Sequence, residues 1–262
     1  MNIDVCIEGP AKAPVLVLSN SLGTTYNMWD KQLPQLTQHF RVLRYNTRGH
    51  SRSYSLSEGE RITIETLAKD VIALLDHFSI EKAYFCGISL GGLTGMWLNR
   101  HFSSRFHRFV IANTAAKIGT AEGWLARAET VRAEGMLPIA ATTAQRWFTQ
   151  SFIKHHAEEV KQLEKTILHV DPFGYAACCE VLAEANMEDE ISLMSKAMLV
   201  IAGEFDPVTN IDEAQFIVNN LPEGQLDILP ASHLSNIACA DEFTSKVLTF
   251  FDKAPRYEAT GN

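Results

Sequence analysis

Residues Gly87-Ile88-Ser89-Leu90-Gly91 form a Gly-x-Ser-x-Gly element. It follows the apolar run AYFC and opens LGGLTGMWLNRHF, which reads as a helix despite its glycines. Strand, sharp turn and helix are the context in which such a serine sits on strained backbone, with its hydroxyl pushed out above a sheet. The pattern alone is common, so the chemistry has to be sought in partners. A nucleophilic serine needs a base, and the base needs an orienting acid. In this architecture they follow in the order serine, acid, histidine. After Ser89 the next strand end carrying an acid is VIAGEFD, which offers Asp206, with Glu204 as the lesser candidate. Beyond Asp206 there is one histidine, His233, in the loop LPASHLSN after the last strand pattern. Each residue has a bland alternative. Ser89 could cap a helix, Asp206 before Pro207 could initiate a turn, and His233 could be a solvated loop histidine.

A second Ser-Leu-Gly triplet stands earlier, at Ser21-Leu22-Gly23, after the apolar run Val15–Ser19. Its place suits the loop that supplies one donor of an oxyanion hole, the other being the N–H after the nucleophile. That assigns Leu22 and Leu90 as backbone donors, each worth on the order of 3 kcal/mol to the barrier. Ser21 is then loop chemistry, with its hydroxyl either packing or touching substrate.

The elements that must position these residues are legible as a rhythm. Apolar runs at 15–19, 42–45, 83–87, 109–112, 198–202 and 226–229 read as buried strands, and 2–7 alternates like an edge strand. Ile64, Leu67, Val71, Leu74, Leu75 and Phe78 recur at helical spacing, as do Phe243, Val247, Phe250 and Phe251. Strands alternating with helices predict an α/β fold with a mostly parallel sheet covered on both faces. From 117 to 190 the rhythm breaks into helical patterns around 120–134, 138–152, 155–168 and 173–185 with no strand. The expected organisation is a core of 1–116 and 191–262, with 117–190 inserted before the acid-bearing strand as a helical cap over the carboxyl ends of the strands. The tail from Lys253 reads as frayed.

Composition narrows the partners. The 262 residues are 46% hydrophobic and 21% charged, as in a packed globule, and the net charge of −8 disfavours nucleic acid and anionic membrane as partners. The start MNIDVCIEGP lacks the features of a secretory leader, and no apolar run is long enough to span a bilayer. Five irregularly spaced cysteines without a C-x-x-C pair suit a reducing cytoplasm and give no metal pattern. Homo-oligomerisation is left open.

SNSLGTTYNMW (19–29), YNTRGHS (45–51), CGISLGGLTGMWL (86–98), EGWLARAETVRAEGM (122–136), RWFT (146–149), GYAACCE (174–180) and ASHLSNI (231–237) together resemble the α/β-hydrolase superfamily. Within it they are most similar to the 3-oxoadipate enol-lactonases of bacterial aromatic degradation. The SNSLGT loop is the sharpest marker, because most relatives carry His-Gly where this chain has Asn20-Ser21. Asn46 departs from the Asp usual before the Arg-Gly turn. The resemblance implies an α/β-hydrolase fold with a helical cap. It also implies a Ser89–His233–Asp206 triad that opens a carboxylated lactone through an acyl-enzyme, without metal or organic cofactor. Arg48 and His50 would be structural.

A substrate carboxylate calls for a cationic or donor-rich partner. Trp124 and Arg127 fall on one helix face, and Arg146-Trp147 form a similar pair. The competing reading buries Trp124 and Trp147 in the cap and leaves the arginines in solvent. Glu158, Glu159, Lys161, Glu164 and Lys165 read as a solvated helix face. A general carboxylesterase or a cofactor-free perhydrolase would use the same triad. A non-catalytic small-molecule receptor on the same scaffold is the rival from another class.

Overall fold

The computed structural model describes residues 3–50, 56 and 59–252. Asn2, Ser51 and the tail from Lys253 lie outside the described residues. Seven strands make one sheet: β1 (Val5–Glu8), β2 (Val15–Ser19), β3 (Arg41–Tyr45), β4 (Ala83–Ile88), β5 (Phe106–Ala112), β6 (Met198–Gly203) and β7 (Gly224–Leu229), in the order β1-β3-β2-β4-β5-β6-β7. Only β1 runs antiparallel, paired with β3 at the edge. Continuous apolar runs such as VLVLS and MLVIAG are buried along their whole length, as strands covered on both faces require.

The helices are α1 (Leu33–Leu36), α2 (Ile64–His77), α3 (Leu90–His101), α4 (Ala121–Glu134), α5 (Leu137–Trp147), α6 (Gln150–His155), α7 (Ala157–Ile167), α8 (Pro172–Glu184), α9 (Ile211–Asn220), α10 (Ser235–Ala238) and α11 (Ala240–Asp252). Their starts follow local chemistry. Thr63 and Thr66 form a reciprocal capping box at α2, Asn210 and Glu213 do so at α9, and Asp171 caps α8 just ahead of Pro172. Helices α4 to α8 all fall between β5 and β6, where the sequence shows no strand pattern.

Several boundaries shift by one to three residues from the sequence reading, β1 and β7 among them, and two differences have a clear local cause. β5 begins at Phe106, three residues early, because the half-buried His107 and Arg108 interrupt its apolar run. The expected helix over 138–152 is two helices. Phe148 is extended (φ −135°, ψ 153°), and the Thr149 side chain accepts the Phe152 N–H to start α6 afresh. One assignment is corrected in part. Glu159 is not wholly on a solvated face, since it pairs with Lys31 of the core at 2.6 Å.

The chain turns from β3, on one side of β2, to β4 on the other. This reversal opens a crevice at the carboxyl ends of β2 and β4, the position where open α/β sheets bind ligands. β2 ends at Ser19-Asn20-Ser21 and β4 ends at Ser89, so both Ser-Leu-Gly triplets meet at one crevice. Helix α8 seats beside it. A Cβ on Gly174 would overlap the backbone of Gly49 in the turn after β3. We predict that Gly174→Ala costs about 1–3 kcal/mol through overpacking, lowering the melting temperature by several degrees in a thermal unfolding scan.

Candidate active site

Ser89 sits between β4 and α3 with φ 56° and ψ −114°, left-handed backbone that a non-glycine residue rarely holds. The surroundings over-determine it. Its N–H donates to Ala112 O of β5 (2.9 Å), and Thr114 Oγ1 donates to its carbonyl (2.9 Å). Gly91 allows the loop after β2 to approach. Its N–H donates to Asn20 O at 3.1 Å, and a Cβ there would overlap the Ser19 carbonyl. Ser89 is only 4% exposed.

Asp206 and His233 are brought together by parallel neighbours. β6 and β7 end side by side, and their loops are stitched by Glu204 N–H to Leu229 O (2.8 Å) and Phe205 N–H to Ala231 O (2.9 Å). His233 Nδ1–H donates to Asp206 Oδ2 at 2.8 Å, with side chains 4% and 0% exposed. Glu204, the alternative acid, is exposed.

Four further donors converge on Asp206. Oδ2 also accepts from Thr209 Oγ1 (2.8 Å) and Asn113 Nδ2 (3.1 Å), and Oδ1 from the N–H groups of Val208 (2.8 Å) and Thr209 (3.2 Å). Burial pushes the Asp206 pKa up. The charge and hydrogen bond of His233, with the donors of Val208 and Asn113, outweigh burial and hold the carboxyl below its usual range.

Asn113 and Thr209 are residues that motif reasoning misses. Asn113, at φ 46° just past β5, also donates to Ser232 O (3.1 Å) and accepts from Ser235 Oγ. Its neighbour Thr114 holds the Ser89 carbonyl, so this dipeptide joins the nucleophile's turn to the acid–base pair. The available signal was a polar pair ending a buried strand.

Leu22 and Leu90 lie on the same rim. Leu90 is the first residue of α3, so its N–H is one of those without an intrahelical acceptor. Around Leu22, the Ser21 carbonyl accepts both the N–H (3.2 Å) and the hydroxyl (2.7 Å) of Thr24. Ser21 is buried within this turn. Asn20 donates to Tyr45 O and accepts from the Trp29 indole N–H, so it anchors the loop. Asn46 accepts the Tyr26 N–H at 2.8 Å, as an Asp would, and its amide lies 3.4 Å from Asp4. Arg48 is held by Asp70 through two bonds (2.9 and 2.6 Å), a structural pairing.

The inserted helices place Arg127 with its guanidinium 5.0 Å from the centre of the Trp124 ring. The Trp124 indole N–H donates to Ile118 O, so the ring offers its face and not its donor. Arg127 lies beside Tyr175, whose pKa burial pushes up to about 12. Arg146 is half-buried, bonded to Thr143 Oγ1, and held below its usual pKa first by burial and then by the nearby charge of Arg127. No carboxylate pairs with Arg127 or Arg146 among the described residues. Trp147 is buried. Its carbonyl accepts the Leu234 N–H (3.1 Å), and Ser232 Oγ donates to Arg146 O (3.0 Å), so the end of α5 brackets His233. Trp147 also walls a cleft of ≈ 410 Å³ between residues 23–31 and α7. Ser89 and His233 do not line that cleft, which flanks the site on the Leu22 side.

A family model for the alpha/beta hydrolase fold matches residues 14–238. The chain belongs to the α/β-hydrolase family. Among curated α/β hydrolases it is 46% identical to 3-oxoadipate enol-lactonase 2 of Acinetobacter baylyi, over 91% of this chain and 89% of that one. It is 41% identical to 3-oxoadipate enol-lactonase 1 of the same organism, over 92% and 90%. The crystal structure of the enol-lactonase from Burkholderia xenovorans LB400 superposes with a TM-score of 0.91 at 38% identity, covering 96% of each chain. No helix among the described residues is long and apolar enough to cross a membrane.

We predict that Asp206→Asn lowers kcat on the order of 10⁴-fold in a hydrolysis assay. Stability should respond as well. Because the folded pKa lies below the unfolded one, the carboxylate stabilises the fold above the ordinary carboxylate range. That contribution is lost as the pH falls through the folded value. Urea unfolding from pH 6 to pH 2 should show a shallower acid decline in Asp206→Asn.

Proposed function

We propose that this α/β hydrolase opens 3-oxoadipate enol-lactone to 3-oxoadipate, with Ser89 as nucleophile, His233 as general base and acid, and Asp206 as its orienting anion. His233 Nε2 takes the Ser89 proton as Oγ bonds the lactone carbonyl carbon. The N–H groups of Leu22 and Leu90 hold the oxyanion. Collapse breaks the ring C–O bond. The departing oxygen is an enolate still tethered to the acyl group; the His233 imidazolium gives it the proton taken from Ser89, and the enol becomes a ketone. This leaving group is better than an alkoxide. A water deprotonated by His233 then attacks the ester carbonyl and releases the acid, returning the proton to Ser89.

What supports the substrate assignment is the pair Arg127 and Arg146 on the inserted helices, Arg127 lying beside Trp124 and beside Tyr175, which in turn packs against Gly23. Two guanidinium groups that raise each other's energy, without a carboxylate partner among the described residues, gain most from a bound anion. The lactone's side-chain carboxylate meets that need, and the two enol-lactonase relatives support the named substrate. Trp124 stacks on Arg127 and aims it, Tyr175 lies beside it, and Trp147 and Ser21 are assigned as further contacts of the bound lactone. Residues 117–190 serve as the cap over residues 1–116 and 191–262, excluding water around the oxyanion. The net charge of −8 argues against nucleic acid as a partner. Five unpaired cysteines fit a reducing cytoplasm.

The test is a substrate panel. The free-acid lactone should exceed its methyl ester in kcat/KM by on the order of 100-fold, the scale of a charge-assisted hydrogen bond. Ser89→Ala should lose activity by about 10⁶-fold. Equal rates on acid and ester would instead indicate a general esterase. Binding without turnover, unchanged in Ser89→Ala, would indicate a receptor. Arg127→Met and Arg146→Met should each raise KM by about 10-fold or more with smaller changes in kcat.

A further inference from the structure

The turn Thr47–His50 follows β3 and contributes nothing to the steps above, yet its histidine is 2% exposed. The Gly23 N–H donates to His50 Nε2 at 2.9 Å. Because Nε2 accepts, the ring proton resides on Nδ1, which faces the Arg48 carbonyl at 3.3 Å. Burial drives the His50 pKa down to about 4, so the ring is neutral, with its acceptor intact, near neutral pH.

Gly23 directly follows Leu22, and peptide planarity gives this bond its consequence. In a trans peptide the C=O and N–H point in opposite directions, so holding one end aims the other. The Ser21–Leu22 plane is held by Thr24, which places its N–H and hydroxyl on the Ser21 carbonyl and thereby aims the Leu22 N–H. The Leu22–Gly23 plane, which carries the Leu22 carbonyl, is held by His50, so the peptide planes on both sides of the Leu22 Cα are fixed and the Leu22 N–H keeps its direction. Gly23 itself is left-handed (φ 81°), and a Cβ on it would crowd Ile167 and Tyr175 of the inserted helices. This loop therefore depends on side-chain bonds for its shape, not on a strand or helix.

We propose that His50 is a positioning residue of the oxyanion hole, accepting the Gly23 N–H so that the Leu22 N–H is aimed at the oxygen of the attacked carbonyl. This rests on Leu22 serving as an oxyanion donor in the reading above. Transition-state charge is stabilised most by donors already in place before reaction, so loosening the loop weakens kcat more than KM.

The test compares His50→Phe, which keeps an aromatic ring but no acceptor, with His50→Gln, which restores an acceptor. A boronic acid that carries a carboxylate and forms a tetrahedral adduct on Ser89 probes the hole directly. His50→Phe should lower kcat on the order of 10- to 100-fold, with KM and affinity for the product 3-oxoadipate within about twofold, and should weaken the boronate by a matching factor. His50→Gln should recover part of both losses. His50→Leu gives the same reading if the Phe variant does not fold. Wild-type kcat and boronate affinity in His50→Phe would overturn the proposal, as would a kcat loss with boronate affinity unchanged. Turnover of the lactone by the wild type and its loss in Ser89→Ala are read in the same assay, so a failure of the lactonase reading is distinguishable.

Discussion

The site is organised around a buried anion. Asp206 sits where its side chain meets no solvent, and a carboxylate in such a place is tolerated only when donors replace its water. His233 alone would leave lone pairs unmet. The structure therefore recruits two backbone N–H groups from the turn that follows, the hydroxyl of Thr209 and the amide of Asn113. Removing one partner of such a pair strands a buried charge, so the whole cluster stands or falls together. The same carboxylate fixes the His233 tautomer, with the proton on Nδ1 and Nε2 free to act as base.

Asn113 extends this constraint to the far side of the sheet crevice. Its side chain is tied to Asp206, Ser232 and Ser235, while the next residue, Thr114, holds the carbonyl of Ser89. The acid, the loop of the base and the strained serine turn are thereby joined through two adjacent residues at the end of β5. The helices between β5 and β6 add the complementary feature. They hold the guanidinium groups of Arg127 and Arg146 near enough to repel, and pin the end of α5 to the His233 loop through Ser232 and Leu234. The Asp206–His233 pair and the arginine pair thus come from different parts of the chain, joined through a few hydrogen bonds.

Much of this was legible in the sequence because its signals are local. The runs VLVLS and MLVIAG are apolar without interruption, which only a strand covered on both faces explains. Ser89, Asp206 and His233 each stand just past such a run or its partner. The resemblance to enol-lactonases rests on contiguous motifs, and Trp124 with Arg127 follows from helical spacing. What stayed hidden depends on contacts between distant segments. Nothing near Asn113 announces that it will meet Asp206 across 93 positions. The start of β5 escaped because His107 and Arg108, half-buried against Tyr84 and Phe250, part the buried Phe106 from the rest of the apolar run. The break at Phe148 escaped because a single extended residue, followed by a capping threonine, leaves the apolar period nearly intact. Glu159 looked solvated because its partner, Lys31, lies 128 residues earlier.

The central claim is that Ser89, and not the serine of the earlier triplet, carries the acyl group. Rapid acid quench during turnover of the enol-lactone, followed by peptide mass spectrometry, tests it directly. The account predicts a single adduct with the mass of the lactone on the peptide containing Ser89, rising and decaying with turnover. An adduct on the peptide containing Ser21, with the peptide containing Ser89 unmodified at every quench time, would contradict it.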